Sequence, residues 1–325
     1  MQAVIGNSLG GPAHYDLLNV AIPAPGPTDV QIQVRVSGMG YVDALVSRGL
    51  YQVKPEVPYC PGLEFAGTVT DVGNQVTDLA IGDTVAASAF GGGLAEYAVV
   101  PSKTVVKIPA TFDLRAAAGF TVNYTTAHHG LLDRAQLQPE DIVLVLGAAG
   151  GTGIAAIQIA RMAGARVIAG ASTQVKRDYA LQHGASDCID YTQPDWRKTL
   201  KAMTNGHGVD VVFDPVGGDL MEPAFRSLAW RGRHLVIGFV GGPIPSLPIN
   251  LALLKGSALI GVDYRQFSSV YESQQAVRVR EELFDAVESG VLTPPIGTSF
   301  ALADYAQAME LAASRDGLGK TIVEI

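Results

Sequence analysis

Asp141-Ile-Val-Leu-Val-Leu-Gly-Ala-Ala-Gly-Gly-Thr-Gly153, running straight into Ile154-Ala-Ala-Ile-Gln-Ile-Ala-Arg-Met-Ala163, decides the fold of this 325-residue chain. Ile142 to Leu146 is apolar on both faces, as a central strand of a parallel sheet must be. The small residues 148 to 151 let a backbone approach a pyrophosphate, and the helix that starts behind them turns its N-terminus to that anion. Ala148, Gly150 and Gly153 stand at the three positions of the G-x-G-x-x-G pattern, alanine replacing the first glycine. Gly153 allows the helix to pack tightly on the strand. A bare glycine turn occurs in many α/β proteins; a buried strand before it and a helix after it make this one a dinucleotide grip, held by Ala149, Gly150, Gly151, Thr152 and Gly153.

Outward from that stretch the pattern is strand, helix, strand, helix from about residue 123 to 263, with strands expected at Ile142 to Leu146, Arg166 to Gly170, Asp187 to Asp190, Val209 to Asp214, His234 to Phe239 and Leu259 to Val262. Six parallel strands with helices between them give an α/β, doubly wound (Rossmann) sheet. Residues 1–122 read differently, as short β-rich runs broken by Pro and Gly. Val30 to Val36 alternates at period two and Ala66 to Val72 reads as another strand, so this part is a mostly antiparallel, barrel-like module. Val270 to Gly290 reads as a helix, and Lys320 to Ile325 as a strand that returns to the first module. The expected division is a discontinuous module of 1–122 with 264–325 around a dinucleotide-binding domain of 123–263.

Composition narrows the function classes. Hydrophobic residues make up 48% and charged residues 17%, which describes a well-buried globular chain. Lys plus Arg number 23 against 31 Asp plus Glu, a net charge of −8, which argues against a general nucleic-acid binder while leaving room for a local basic patch. No run is long enough to span a membrane and the start carries no basic leader, so a cytoplasmic protein is expected. Cys60 and Cys188 are too few for a disulfide framework or a four-cysteine zinc lobe, and read as small buried apolar residues.

The end of the second strand selects the cofactor. An enzyme for the non-phosphorylated dinucleotide places Asp or Glu there, about 20 residues beyond the motif, on the ribose hydroxyls. This chain has Gly170-Ala-Ser-Thr173, followed by Lys176 and Arg177. Ser172, Thr173 and Lys176 suit a 2′-phosphate, so NADPH is the expected cofactor; the alternative is that Lys176 and Arg177 form a solvated helix face. Gly217, in its Gly-Gly turn, and Phe239 follow strand ends, where a doubly wound sheet opens its ligand crevice.

The chain resembles the zinc-independent members of the medium-chain dehydrogenase/reductase superfamily, close to the NADPH:quinone oxidoreductases and related to the enoyl-thioester reductases. The resemblance covers essentially the full length and is carried by Val42-Asp43, Arg48-Gly-Leu-Tyr51, Pro61-Gly-Leu-Glu-Phe-Ala-Gly67, Gly82-Asp83-Thr-Val85, Ala148 to Gly153, Asp214-Pro-Val-Gly-Gly218 and Gly319-Lys320. It implies a GroES-like β-barrel catalytic domain formed by both chain ends, a homodimer, and further cofactor contacts at Thr126, Tyr191 and Lys320. Zinc-dependent members place Cys and His where this chain has Gly40 and Leu63, neither of which ligates a metal, so no metal site is expected. Glu64 persists beside them, read as an anchor of barrel loops in preference to a general base. Many quinone-reductase-like members place Asn at position 40, and no residue here inherits that role.

Without a Lewis acid, oxidation of a simple alcohol is difficult, whereas hydride addition to an activated double bond needs only positioning and a hydrogen-bond donor for the oxygen that gathers charge. The expected function is NADPH-dependent reduction of quinones or α,β-unsaturated carbonyls, acting on a small electrophilic substrate. Tyr51, matching the active-site tyrosine of the enoyl-thioester reductases, is the candidate catalytic donor; water is the alternative. A 2-enoyl-thioester reductase is the neighbouring reading, and a non-catalytic NADPH-binding sensor or scaffold the reading from another class.

Overall fold

The computed structural model describes residues 1–109 and 112–325. The chain begins with β1 (Gln2–Gly6), β2 (Tyr15–Asn19), β3 (Asp29–Met39), α1 (Tyr41–Ser47), β4 (Glu64–Val72), β5 (Thr84–Ser88), β6 (Tyr97–Pro101), β7 (Val105–Lys107) and α2 (Leu114–His128). It then alternates through β8 (Ile142–Leu146), α3 (Gly151–Met162), β9 (Arg166–Gly170), α4 (Gln174–Gln182), β10 (Asp187–Ile189), α5 (Trp196–Met203), β11 (Val209–Asp214), α6 (Met221–Arg226), β12 (Leu228–Val236), α7 (Asn250–Lys255) and β13 (Ala258–Gly261). Two helices, α8 (Tyr264–Gln266) and α9 (Ser273–Glu288), precede the last stretch of β14 (Ile296–Ala301), α10 (Tyr305–Ala313) and β15 (Lys320–Glu324). Packing divides the chain into one unit of residues 1–122 with 294–325 and a second of 123–293.

In the first unit β3 is the spine. The expected run from Val30 extends at both ends to 11 residues, pairing antiparallel with β4 along one edge and with β6 and then β15 along the other. Val30, Ile32 and Val34 alternate inward and pack with Phe65, Val69 and Val85, so period-two patterning is what fixes the register. The final strand does return to this sheet, placing Thr321 opposite Met39 and Glu324 opposite Val36.

The second unit holds a six-stranded sheet in the order β10-β9-β8-β11-β12-β13, parallel at every pairing. The order in which successive strands are added reverses between β8 and β11, the switch point at which a doubly wound sheet binds its ligand. Leu144, Leu146, Ile168, Val212, Phe225 and Leu228 belong to one buried apolar cluster of this unit.

Three expectations are corrected. The fifth strand of this sheet runs Leu228–Val236, because beyond Val236 the Ile237 and Gly238 amides both turn to the Asp214 carbonyl (3.0 and 3.4 Å). The helix expected over Val270 to Gly290 forms as α9, Ser273–Glu288, but its first residues lie instead in a π-helical turn, Phe267–Tyr271, broken off at Glu272 (φ −136°, ψ 46°). Residues 264–293, expected with the barrel, belong to the second unit. Phe267 stacks on His129 with ring centroids 4.1 Å apart, and the Gln158 side chain exchanges two hydrogen bonds with the Thr293 backbone (both 3.0 Å).

Candidate active site

In the second unit the turn between β8 and α3 is built on closely packed glycines. Gly147, one residue before the first position assigned from sequence, carries the left-handed conformation (φ +58°) that ends β8, while Ala148 is fully buried. A Cβ on Gly153 would lie 2.4 Å from the Gly147 carbonyl oxygen, so the start of α3 rests directly on the turn. A Cβ on Gly151 would meet the Asn123 side chain at 2.6 Å, and the Thr152 hydroxyl donates to Asn123 Oδ1 (2.9 Å). Ala149 is buried behind Gly150, which caps α3 in an extended conformation. The tight backbone brings the N-terminus of α3 to the end of β8, an arrangement whose free amides suit an anion.

The neighbouring strand ends converge on the same rim of the sheet. Leu146 is in register with Gly170, and a Cβ on Gly170 would touch the Tyr191 ring at 3.2 Å, so Tyr191 lies over the end of β9. Thr173 caps α4, accepting from the Lys176 amide at 3.3 Å; Ser172 and Lys176 are half-buried beside it. Arg177 is drawn off to Asp190 (3.0 Å) and the Ala171 carbonyl (3.2 Å), which assigns it a structural role. Gly217 (φ +62°) packs on Phe239, whose ring a Cβ would meet at 2.9 Å. Thr126 is half-buried in the last turn of α2.

Sequence reasoning missed what holds the Gly217 turn. Asp214 Oδ1 accepts from the Val216 and Gly217 amides (both 2.8 Å), and its Oδ2 lies 3.0 Å from His234 Nε2. Both side chains are buried, so this pair fixes the turn from inside the sheet. Asp214 stood in a recognised motif, but nothing in the sequence linked it to a histidine on the next strand.

In the first unit Tyr51 follows α1 on a turn, half-buried, with its ring 6.3 Å from that of Phe90. Behind it lies a buried charge cluster. Asp43 accepts from the Gly40 and Leu63 amides (2.8 Å each). Glu64 accepts from the Val122 amide (2.6 Å) and pairs with the Lys320 ammonium. Asp43, Glu64 and Lys320 are 3%, 2% and 8% exposed. Burial pushes the Asp43 carboxyl up against the opposing pull of Lys320. Burial also works to lower the Lys320 ammonium, but Glu64 and Asp43 outweigh it and hold it above the ordinary lysine range. Glycines carve the channel for this lysine: a Cβ would lie 3.0 Å from Lys320 Cε at Gly38 and 2.8 Å from its Cγ at Gly119. Lys320, expected at the cofactor, spends its ammonium on Glu64.

Comparison with known proteins matches residues 26–110 to the Alcohol dehydrogenase GroES-like domain and 151–279 to the Zinc-binding dehydrogenase family. The chain is 35% identical over 326 residues to quinone oxidoreductase of Sus scrofa, covering 99% of this chain and 97% of that one. The chain belongs to the quinone oxidoreductase-like branch of the medium-chain dehydrogenase/reductase superfamily. It is also 35% identical over 325 residues to quinone oxidoreductase-like protein 2 homolog of Nematostella vectensis, covering 99% of this chain and 88% of the relative. The structure of Escherichia coli quinone oxidoreductase complexed with NADPH superposes with a TM-score of 0.92 at 25% identity over all of both chains.

Membership raises the question of zinc, and the residues of this superfamily member do not fit it. Gly40 and Leu63 carry no side-chain donor atom, and a side chain at position 40 would start 3.3 Å from the Lys320 ammonium. Among the described residues no group of three His, Cys, Asp or Glu side chains is arranged to hold a metal.

Proposed function

We propose that this protein catalyses the NADPH-dependent reduction of quinones or α,β-unsaturated carbonyl compounds without a catalytic zinc. The observation that carries the reading is the buried Lys320 ammonium, held between Glu64 and Asp43 against Gly40, which leaves the first unit a fixed charge in place of an exchangeable metal. NADPH, when bound, supplies the hydride. Residues 149 to 153 would hold its pyrophosphate at the start of α3. Ser172, Thr173, Lys176 and Tyr191 would hold its 2′-phosphate, the end of β9 offering no carboxylate to repel it. Thr126, Gly217 and Phe239 line the nicotinamide half. The E. coli relative's NADPH complex supports the choice of cofactor.

In the reaction of an enone, two electrons and a proton arrive at the β-carbon as hydride and the electron pair of the double bond moves to the carbonyl oxygen. The Tyr51 hydroxyl donates a hydrogen bond to that oxygen and then a proton, recovered from solvent. The Tyr51 and Phe90 rings favour an apolar, planar substrate.

We also propose a homodimer. β13 is the edge of the parallel sheet, and with α7 it exposes Leu253 (81%), Leu254 (68%) and Leu259 (48%) together, an unpaired edge beside an apolar face. Two unpaired thiols, Cys60 and Cys188, accord with a reducing, cytoplasmic site of action.

The test is parallel oxidation of NADPH and NADH against a benzoquinone, a naphthoquinone, a short enone and crotonyl-CoA. NADPH-selective turnover of quinones or enones is expected, with Tyr51→Phe lowering kcat about 100-fold. Preference for crotonyl-CoA would reassign the protein as an enoyl-thioester reductase. NADPH binding without turnover of any of them would make it a sensor.

A further inference from the structure

Four cations crowd one outer face of the second unit. Arg197 and Lys201 lie a turn apart on α5, Arg226 ends α6 and Lys255 ends α7. Two of them converge on the tripeptide that begins with Arg226: Arg197 reaches the Ser227 hydroxyl and the Arg226 carbonyl, both at 3.4 Å, and Lys255 donates to the Leu228 carbonyl. Glu222 pairs with Arg226 at 2.7 Å, whereas among the described residues neither Arg197 nor Lys255 forms an ion pair. Partial burial and the charge of Arg226 hold Arg197 below its usual range against the opposing pull of Glu222, and partial burial, Arg197 and Lys201 lower Lys255. Capping the last carbonyls of α6 accounts for the bonds to residues 226 to 228, but the contacts of Arg197 are long, and neutral acceptors do not offset the three charges that remain once Glu222 answers Arg226. Beside them opens a cavity of about 530 Å³. Arg197 and Arg226 stand on its wall, Pro223, Ile244 and Pro245 form an apolar surface, and of its two carboxylates, Asp219 and Glu222, the second is neutralised by Arg226.

We propose that this cavity is a second ligand site, taking a small phosphate-bearing molecule whose anion is bound by Arg197 under the added charge of Lys201 and Lys255, and whose apolar body lies on Pro223, Ile244 and Pro245. The missing counter-ion of Arg197 is then the ligand itself, and the planar guanidinium fork suits a phosphate.

Inorganic pyrophosphate is the probe, titrated calorimetrically into the intact protein with and without saturating NADP⁺. The only two tryptophans give a second signal: Trp196 precedes Arg197, and the Trp230 ring lies 3.3 Å from where a Cβ of Gly256 would sit, next to Lys255. Binding that persists with NADP⁺ present, shifts tryptophan emission and weakens about tenfold or more in both Arg197→Ala and Lys255→Met is expected. Circular dichroism checks that each variant is folded; Arg197 is exposed and its loss leaves the core untouched. Absence of binding at millimolar pyrophosphate overturns the proposal. So does binding that NADP⁺ abolishes, which assigns it to the dinucleotide turn, or binding indifferent to both substitutions.

Discussion

Lys320 shows how much a single side chain can hold. Its ammonium answers a carboxylate 256 positions earlier in the chain, and both are out of reach of water. Lys320→Met is expected to destabilise the first unit by about 3–5 kcal/mol, measured by urea unfolding, because Glu64 and Asp43 then remain buried without a counter-charge. Pairing it with Glu64→Gln should recover part of that loss. The folded-state pKa of Lys320 is raised, so its contribution is fully present below the unfolded lysine value of about 10.4 and is lost as pH rises beyond that through the folded value. Unfolding midpoints should therefore fall more steeply above about pH 10 in the parent than in Lys320→Met. The residue itself was legible in the Gly319-Lys320 motif, but its partner was not, since contacts between distant strands leave no trace in local pattern. The Asp214–His234 pair went unread for the same reason.

At the level of elements, the corner from β8 into α3 was legible nearly atom for atom, because a buried strand, a glycine turn and a helix start are local in sequence and each constrains the next. Gly153→Ala should be costly out of proportion to its single methyl, which would strike backbone atoms of Gly147 and Ala148 at 2.4 and 2.8 Å. A loss of about 1–3 kcal/mol in thermal unfolding is expected, together with weaker NADPH binding by fluorescence titration. The corner from β9 into α4 tests cofactor choice. Lys176→Ala should raise the KM for NADPH about tenfold and leave that for NADH unchanged, since the lysine has a phosphate to meet in one cofactor only. Where prediction of elements failed, at the end of β12 and the start of α9, the cause was tertiary: amides recruited by the Asp214 carbonyl, and a π-helical turn seated on His129. Hydropathy period carries neither signal.

At the scale of the whole molecule, assembly is the accessible question. Light scattering should report twice the 34.0 kDa chain mass for the parent and the single chain mass for a Leu253→Asp, Leu259→Lys double variant, with circular dichroism unchanged. A parent of single chain mass would remove the homodimer and leave the chemistry standing. The order of the chain has another outcome. The first unit is written in two instalments, and its sheet lacks two strands, β14 and β15, until the second has been made. During synthesis the second unit is completely translated, and free to fold, while the first still waits with two acids facing an empty glycine-lined channel. The lysine that neutralises them is among the last residues of the unit to be made, so a chain interrupted before residue 320 would leave Glu64 and Asp43 without their counter-charge where β15 should pair with β3.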